Sequence, residues 1–274
     1  MKRPLLDTHV APSSSWSTND KPRNITITNS TGSTQSYALF AETPKITPGI
    51  PVISNNIILV LRGVASASGQ AYFTLPKSPF YAVCGTSYGG ESTVETTVEV
   101  LDSRPVEVGH KADDQTLVAG TTLELVIKRG TPNFANRPDI VPSGHEGCFC
   151  IRTSSEFTHS QARAGKSRSQ PLIHPLLRLT SLGDFVVGVS LFKKLSRYFG
   201  PFATFRPAPG AEYQIQPLNR FYLAVGDYDV RSPTPKGLET RSCLIDFNVL
   251  ELDNVQVHHT ETGRLFVKSD FNED

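Results

Sequence analysis

A few residue groups in this chain have the types and spacing to do chemistry. Gly85-Thr86-Ser87-Tyr88-Gly89 matches the G-x-S-x-G pattern, in which a serine nucleophile projects from a strained strand-to-helix turn. The residues that follow, Gly90 to Val98, are rich in Thr, Val and Glu. That run reads as strand, so a Gly-rich hairpin loop fits better than a hydrolase elbow. His145-Glu146-Gly147-Cys148-Phe149-Cys150 offers imidazole and thiolate ligands of the kind zinc takes. Structural zinc sites need two close pairs, and the second is missing unless His159 contributes. Two small buried thiols are the simpler reading. Asp227-Tyr228-Asp229 has a faint calcium look, but the remaining ligands of a known loop are absent and a surface turn is expected. His258 and His259 are adjacent on a strand-like run, so they face opposite sides and cannot share a ligand.

Other candidates suit binding more than covalent chemistry. Arg62 ends the most apolar run, Ile57 to Leu61, so its charge either snorkels at the strand end or points into a cavity. Tyr37, Tyr72, Tyr81 and Tyr222 fall on strand-like segments. A tyrosine offers an apolar ring and one hydrogen-bonding tip, which suits a pocket for an oxygen-bearing apolar ligand, although an ordinary core tyrosine looks the same in sequence. We take Arg62, Tyr81, Tyr222 and His145 as candidate catalytic contacts. The chain carries no P-loop, no G-x-G-x-x-G and no H-E-x-x-H. The expected cofactor set is none, and so is the metal set.

The elements that must position these groups are strands. The 274 residues include 20 Gly and 20 Pro but one Met. That composition disfavours helical bundles, coiled coils and membrane helices. Period-two alternation runs through Ile25-Thr26-Ile27-Thr28, Ser36 to Ala41, Asn56 to Val64, Gln70 to Leu75, Phe80 to Gly85, Thr93 to Leu101 and Thr121 to Lys128. It resumes near Phe185, then at Tyr213 to Gln216, Arg220 to Gly226, Cys243 to Phe247 and Val255 to His258. A Thr262-Gly263 turn predicts a closing hairpin with Leu265-Phe266-Val267. Phe80 to Gly85 echoes Phe221 to Gly226, as an old duplication or as two strands under one packing demand. The expected fold is an all-β antiparallel sandwich, as one unit or as two similar lobes.

Residues 1–23 read as a disordered Ser-rich tail, with 24–274 as the β domain and a mobile loop at 130–175. From Arg152 to Arg178 the sequence holds Arg152, Arg163, Lys166, Arg168 and Arg178 against the single acid Glu156. That stretch reads as a solvated basic face or as a lid. Lys+Arg is 27 against 26 Asp+Glu, a net charge of +1, which disfavours nucleic acid as a partner. No apolar run reaches the roughly 20 residues of a membrane span. With no signal-like start and four cysteines, the expectation is reduced thiols in the cytoplasm. The sequons Asn24-Ile25-Thr26 and Asn29-Ser30-Thr31 then serve as strand and turn residues.

The pattern of Pro217, Phe221-Tyr222, Gly226, Ile245-Asp246-Phe247, Val255-x-Val257-x-His259 and Gly263-Arg264-Leu265-Phe266-Val267, with Ile25 to Asn29 and Tyr81 to Thr86, resembles a group of filamentous-fungal β proteins. The resemblance is structural and covers most of the chain outside the tail and the basic loop. Its associational implication is a cofactor-free pericyclase of natural-product biosynthesis, such as a norbornene-forming Diels–Alderase. The implied partner is an apolar small-molecule substrate, without nucleic acid or membrane span and with the oligomeric state open. Such a reaction needs no nucleophile: a fold that orders diene and dienophile, with a few polarising donors, suffices. The alternative is a non-catalytic protein that binds a small molecule, sugar or lipid. That reading expects shallow exposed aromatics, and the one Trp, Trp16, lies in the tail.

Overall fold

The computed structural model describes residues 21–50, 52–66, 70–77, 79–88, 97–154, 184–191, 200–250 and 253–268. In chain order the strands are β1 (Arg23–Asn29), β2 (Gln35–Ala41), β3 (Lys45–Thr47), β4 (Ser54–Asn55), β5 (Ile57–Val64), β6 (Gln70–Leu75), β7 (Phe80–Tyr88), β8 (Thr97–Val106), β9 (His110–Lys111) and β10 (Leu117–Val118). They continue as β11 (Thr122–Lys128), β12 (Thr131–Phe134), β13 (Phe149–Thr153), β14 (Asp184–Ser190), β15 (Ala203–Phe205), β16 (Glu212–Gln216), β17 (Arg220–Val225), β18 (Cys243–Asp246), β19 (Asn254–His259) and β20 (Leu265–Lys268). One helical turn, Phe247–Leu250, and a 3₁₀ turn, Glu239–Arg241, complete the described elements.

The strands assemble into several mainly antiparallel sheets packed against each other, in the manner of a β-sandwich. Sheet β20-β19-β1-β6 packs on β18-β17-β2-β5, and β12-β11-β13-β16-β3 packs on β4-β15-β14-β7-β8. The pairs β1/β19 and β11/β13 are parallel. Side-chain alternation explains the layering. In β1, Ile25 and Ile27 are fully buried, while Asn24, Thr26 and Thr28 turn to the other face. Phe221 and Leu223 of β17 and Tyr37 and Leu39 of β2 supply the opposing layer. In the second pair, Phe205 sits edge-on to Tyr213, ring centroids 5.0 Å apart. The core runs continuously through both pairs. Only Asn56 separates β4, in the second pair, from β5, in the first.

The echo between Phe80 to Gly85 and Phe221 to Gly226 has a structural counterpart. β7 and β17 each lie second from a sheet edge, and both turn alternate residues into the core in the same phase. The two glycines serve different needs. A Cβ at Gly85 would collide with the Glu99 carbonyl across the bulge between Cys84 and Gly85. Gly226 adopts φ +141°, and a Cβ there would meet the Tyr228 ring.

Two expectations change. The loop expected at 130–175 contains β12 and β13, whose Phe134, Phe149 and Ile151 are fully buried. The strands escaped notice because each is short and sits among Pro and Gly. Residues 155–175 of that stretch lie outside the described residues, as do 1–20 of the tail. Ser87, expected in a Gly-rich hairpin loop rather than on an elbow, lies within β7, paired with Val98 on one side and Asp184 on the other.

Candidate functional site

Outward-facing residues of sheet β18-β17-β2-β5 form an apolar cluster separate from the main core. Ala38 and Phe40 of β2, Ala224 of β17 and Ile57 of β5 are buried there with Leu238, and Val60, Tyr222 and Tyr228 pack against them. Strand register makes Tyr222 and Phe40 direct cross-strand partners. Their rings lie stacked, centroids 5.2 Å apart at an interplanar angle of 16°. On its other side Tyr222 pairs with Leu244 of β18, which is 38% exposed. This flank of the cluster is therefore open to solvent.

Residues 226–241 form a strap over the cluster. Arg231 donates its backbone N–H to the Ile57 carbonyl at 2.8 Å, Ile57 donates to Ser232 at 2.9 Å, and Thr234 donates to Asn55 at 2.8 Å. The strap thus pairs with the outer edge of β4 and β5 like an irregular strand. It drops Tyr228 and Leu238 onto the sheet. Arg62 pins its start: Nε donates to Asp227 Oδ1 at 2.6 Å, and Nη2 donates to Asp229 Oδ1 at 2.8 Å and to the Tyr228 carbonyl at 2.7 Å. The guanidinium is over half exposed, and its hydrogen bonds to Asp227 and Asp229 hold it further in the charged form. Of the two readings of Arg62, the snorkelling one matches this placement. The same contacts occupy the carboxylates of Asp227 and Asp229.

A charged group closes the other end. Arg220 Nη1 lies 2.9 Å from Glu42 Oε1 and 2.7 Å from Oε2, and Nε lies 3.0 Å from Asp246 Oδ2. Arg220 Nη1 donates to Glu42 Oε1, while among the described residues Glu42 Oε2 and Arg220 Nε make no well-aligned hydrogen bond. Burial raises the Tyr222 hydroxyl above its ordinary pKa; the nearby charges of Glu42 and Glu239 push the same way and Arg220 opposes them. Tyr222 is accordingly a neutral hydrogen-bond donor at physiological pH.

The structure brings Arg62 and Tyr222 to one face of one sheet, at opposite ends of the strap. Tyr81 and His145 stand elsewhere. Tyr81 faces outward from β4-β15-β14-β7-β8, opposite Ser190 and Pro105, and burial raises its hydroxyl. That sheet is covered on both sides, since Val83, Val186 and Thr204 on the same face are buried. The exposed His145 sits on the loop that packs over β13 and β16, where its backbone N–H donates to Gln214 Oε1 at 2.9 Å. Beside it, Arg152 binds Glu212 at 2.8 Å, and Ser143 bonds Thr122, Arg152 and Glu212. Burial pushes the Cys150 thiol up to about 11, so it is a protonated thiol there and not a metal-ready thiolate. Among the described residues no cluster of His, Cys, Asp and Glu is arranged to hold a metal ion.

No family model, no curated protein and no solved structure matches this chain.

Sequence reasoning did not find Phe40, Leu238 or the Arg220–Glu42–Asp246 group. Glu42 and Arg220 are 178 residues apart and meet only through the β2/β17 pairing.

Proposed function

We propose that the chain is a cofactor-independent cyclase that binds an apolar, oxygen-bearing natural-product intermediate of the terpenoid kind and guides an intramolecular Diels–Alder closure. The observation that carries this reading is Tyr222 lying flat on Phe40 with its hydroxyl kept protonated at the open flank of an apolar cluster. Tyr222 polarises a carbonyl on the dienophile by donating a hydrogen bond. Leu244, 38% exposed, and the partly buried Tyr222 ring present the apolar surface against which the substrate folds, backed by the buried Phe40 and Leu238. Arg62 holds the strap that supplies Leu238, so it is a positioning residue and not a catalytic one. The step is balanced within the substrate: three π bonds become two σ bonds and one new π bond, with no atom gained or lost. Ordering the diene and dienophile offsets the entropy of closure, and one donor whose hydrogen bond strengthens by about 1.5–3 kcal/mol in the transition state contributes about 10- to 100-fold in rate. The resemblance of the strand motifs to a group of fungal β proteins, with the cofactor-free pericyclases of fungal pathways as an analogy, is the associational ground of the same reading.

The test is to incubate the protein with a linear polyene carrying an α,β-unsaturated carbonyl. An isomer of unchanged mass, in a stereochemical ratio unlike that of the spontaneous reaction, supports the proposal. The spontaneous ratio at the spontaneous rate contradicts it.

A further inference from the structure

The outer face of sheet β20-β19-β1-β6 is a carboxylate-free, hydrogen-bonding face with an exposed aromatic ring at each edge and one lysine, Lys268. Alternation fixes which residues it presents. Ile25, Ile27, Phe73, Val255 and Val257 go to the core, so the intervening positions face out. Tyr72, at 68% exposure, stands on edge strand β6, and Phe266, at 43%, on edge strand β20. From Tyr72 the row runs through Thr26 and Gln256 to Lys268, and Phe266 lies in the adjacent row, opposite His258. Three interstrand steps and a two-residue offset separate the two rings, a diagonal of about 16 Å.

Thr26, Thr28, Gln70 and Gln256 make no side-chain hydrogen bond among the described residues. Asn24 is tied to Asn254 at 3.0 Å and Thr74 at 2.9 Å, and His258 to Ser30 at 2.8 Å, with its ring 5.5 Å from that of Phe266. The outward positions of these four strands carry no carboxylate and one lysine, Lys268, at the edge. An anionic membrane or a nucleic acid needs several cations, and a protein interface centres on a buried, aromatic-rich apolar core rather than rings held apart at two sheet edges. Carboxamides and hydroxyls flanked by exposed rings instead complement a neutral polyol. Its hydroxyls both give and accept hydrogen bonds, and the C–H face of its sugar ring lies against the negative face of an aromatic ring.

We infer that this face binds a neutral glycan along the Tyr72–Gln256–Phe266 line. The inference is independent of the ring-closing reading, which concerns a different sheet. The experiment is retention of the full chain on insoluble cellulose, chitin and β-1,3-glucan, beside vesicles containing phosphatidylserine. The expected result is retention on at least one polysaccharide, a drop of at least about 10-fold in Tyr72→Ala, and no drop in Val249→Ser, which alters an exposed apolar residue off this face. Amide shifts at Thr26 and Gln256 on adding the matching soluble oligosaccharide would support it without any substitution. Failure on all three polymers, equal retention of Tyr72→Ala, or binding to the vesicles alone would overturn it.

Discussion

The Tyr37 hydroxyl and His259 Nδ1 lie 3.0 Å apart in the core, joining the two sheets of the first sandwich. Both residues are buried, and their rings meet edge-on at 5.7 Å. The His259 pKa lies below its ordinary 6.5, chiefly through burial; the backbone of Gly263 opposes the shift and the neighbouring His258 adds to it. The neutral ring and the Tyr37 hydroxyl share one hydrogen bond at Nδ1. The other ionisable neighbour, Tyr37, is pushed up to about 12 and stays neutral.

This pair predicts acid sensitivity. The unfolded chain takes a proton at His259 more readily than the folded one. The contribution is thus fully present above about pH 6.5 and is lost as pH falls through that value toward the lower folded pKa. Urea midpoints should fall between about pH 7.5 and pH 5, and His259→Gln should flatten that dependence. An unchanged slope in the variant would assign the acid sensitivity elsewhere.

The two buried asparagines Asn29 and Asn56 should respond oppositely to an apolar replacement. Asn29 donates to the carbonyls of Val64 and Ser33 at 2.8 and 2.9 Å and accepts from Thr31. Asn29→Leu strands those groups and should cost about 2–4 kcal/mol, as the sum of two or more lost bonds. Asn56 Oδ1 has no partner, and its Nδ2 makes one long bond of 3.3 Å. Asn56→Leu should fall within about 1 kcal/mol of neutral. Denaturant unfolding of the two variants checks the contrast.

Arg62→Ala should loosen the strap without unfolding the protein. Its ion pairs are exposed and screened by salt, so the thermal midpoint should hardly move. Amide exchange at Arg231 and Thr234, which pair with Ile57 and Asn55, should quicken. Molar salt should reproduce part of the effect in the unaltered protein. Exchange unchanged at those two amides would mean that Arg62 does not hold the strap.

Much of the fold was legible in the sequence because period-two alternation survives wherever one face is buried. Ile25 and Ile27 against Thr26 and Thr28 is such a case. The alternation failed where strands are short, as in β12, or interrupted by one residue, as at Asn56 between β4 and β5. The site was less legible. Tyr222 was visible as a tyrosine on a strand, but its stacking partner Phe40 lies on β2, and the charges that tune it come from Glu42 just past β2, Glu239 in the strap and Arg220 on its own strand. Arg62 showed its charge and position, yet its partners Asp227 and Asp229 lie 165 and 167 residues away. Tyr72 looked equivalent to Tyr81 and Tyr222; only the edge position of β6 separates an exposed ring from two partly covered ones.

The most direct test of ring-closing catalysis at the strapped face compares Tyr222→Phe with the unaltered protein on the same linear polyene. The stacked ring on Phe40 is kept and only the donor is removed. The account predicts a rate about 10- to 100-fold lower, with the thermal midpoint preserved and the product ratio drifting toward the spontaneous one. Tyr222→Phe accelerating closure as well as the unaltered protein would contradict it.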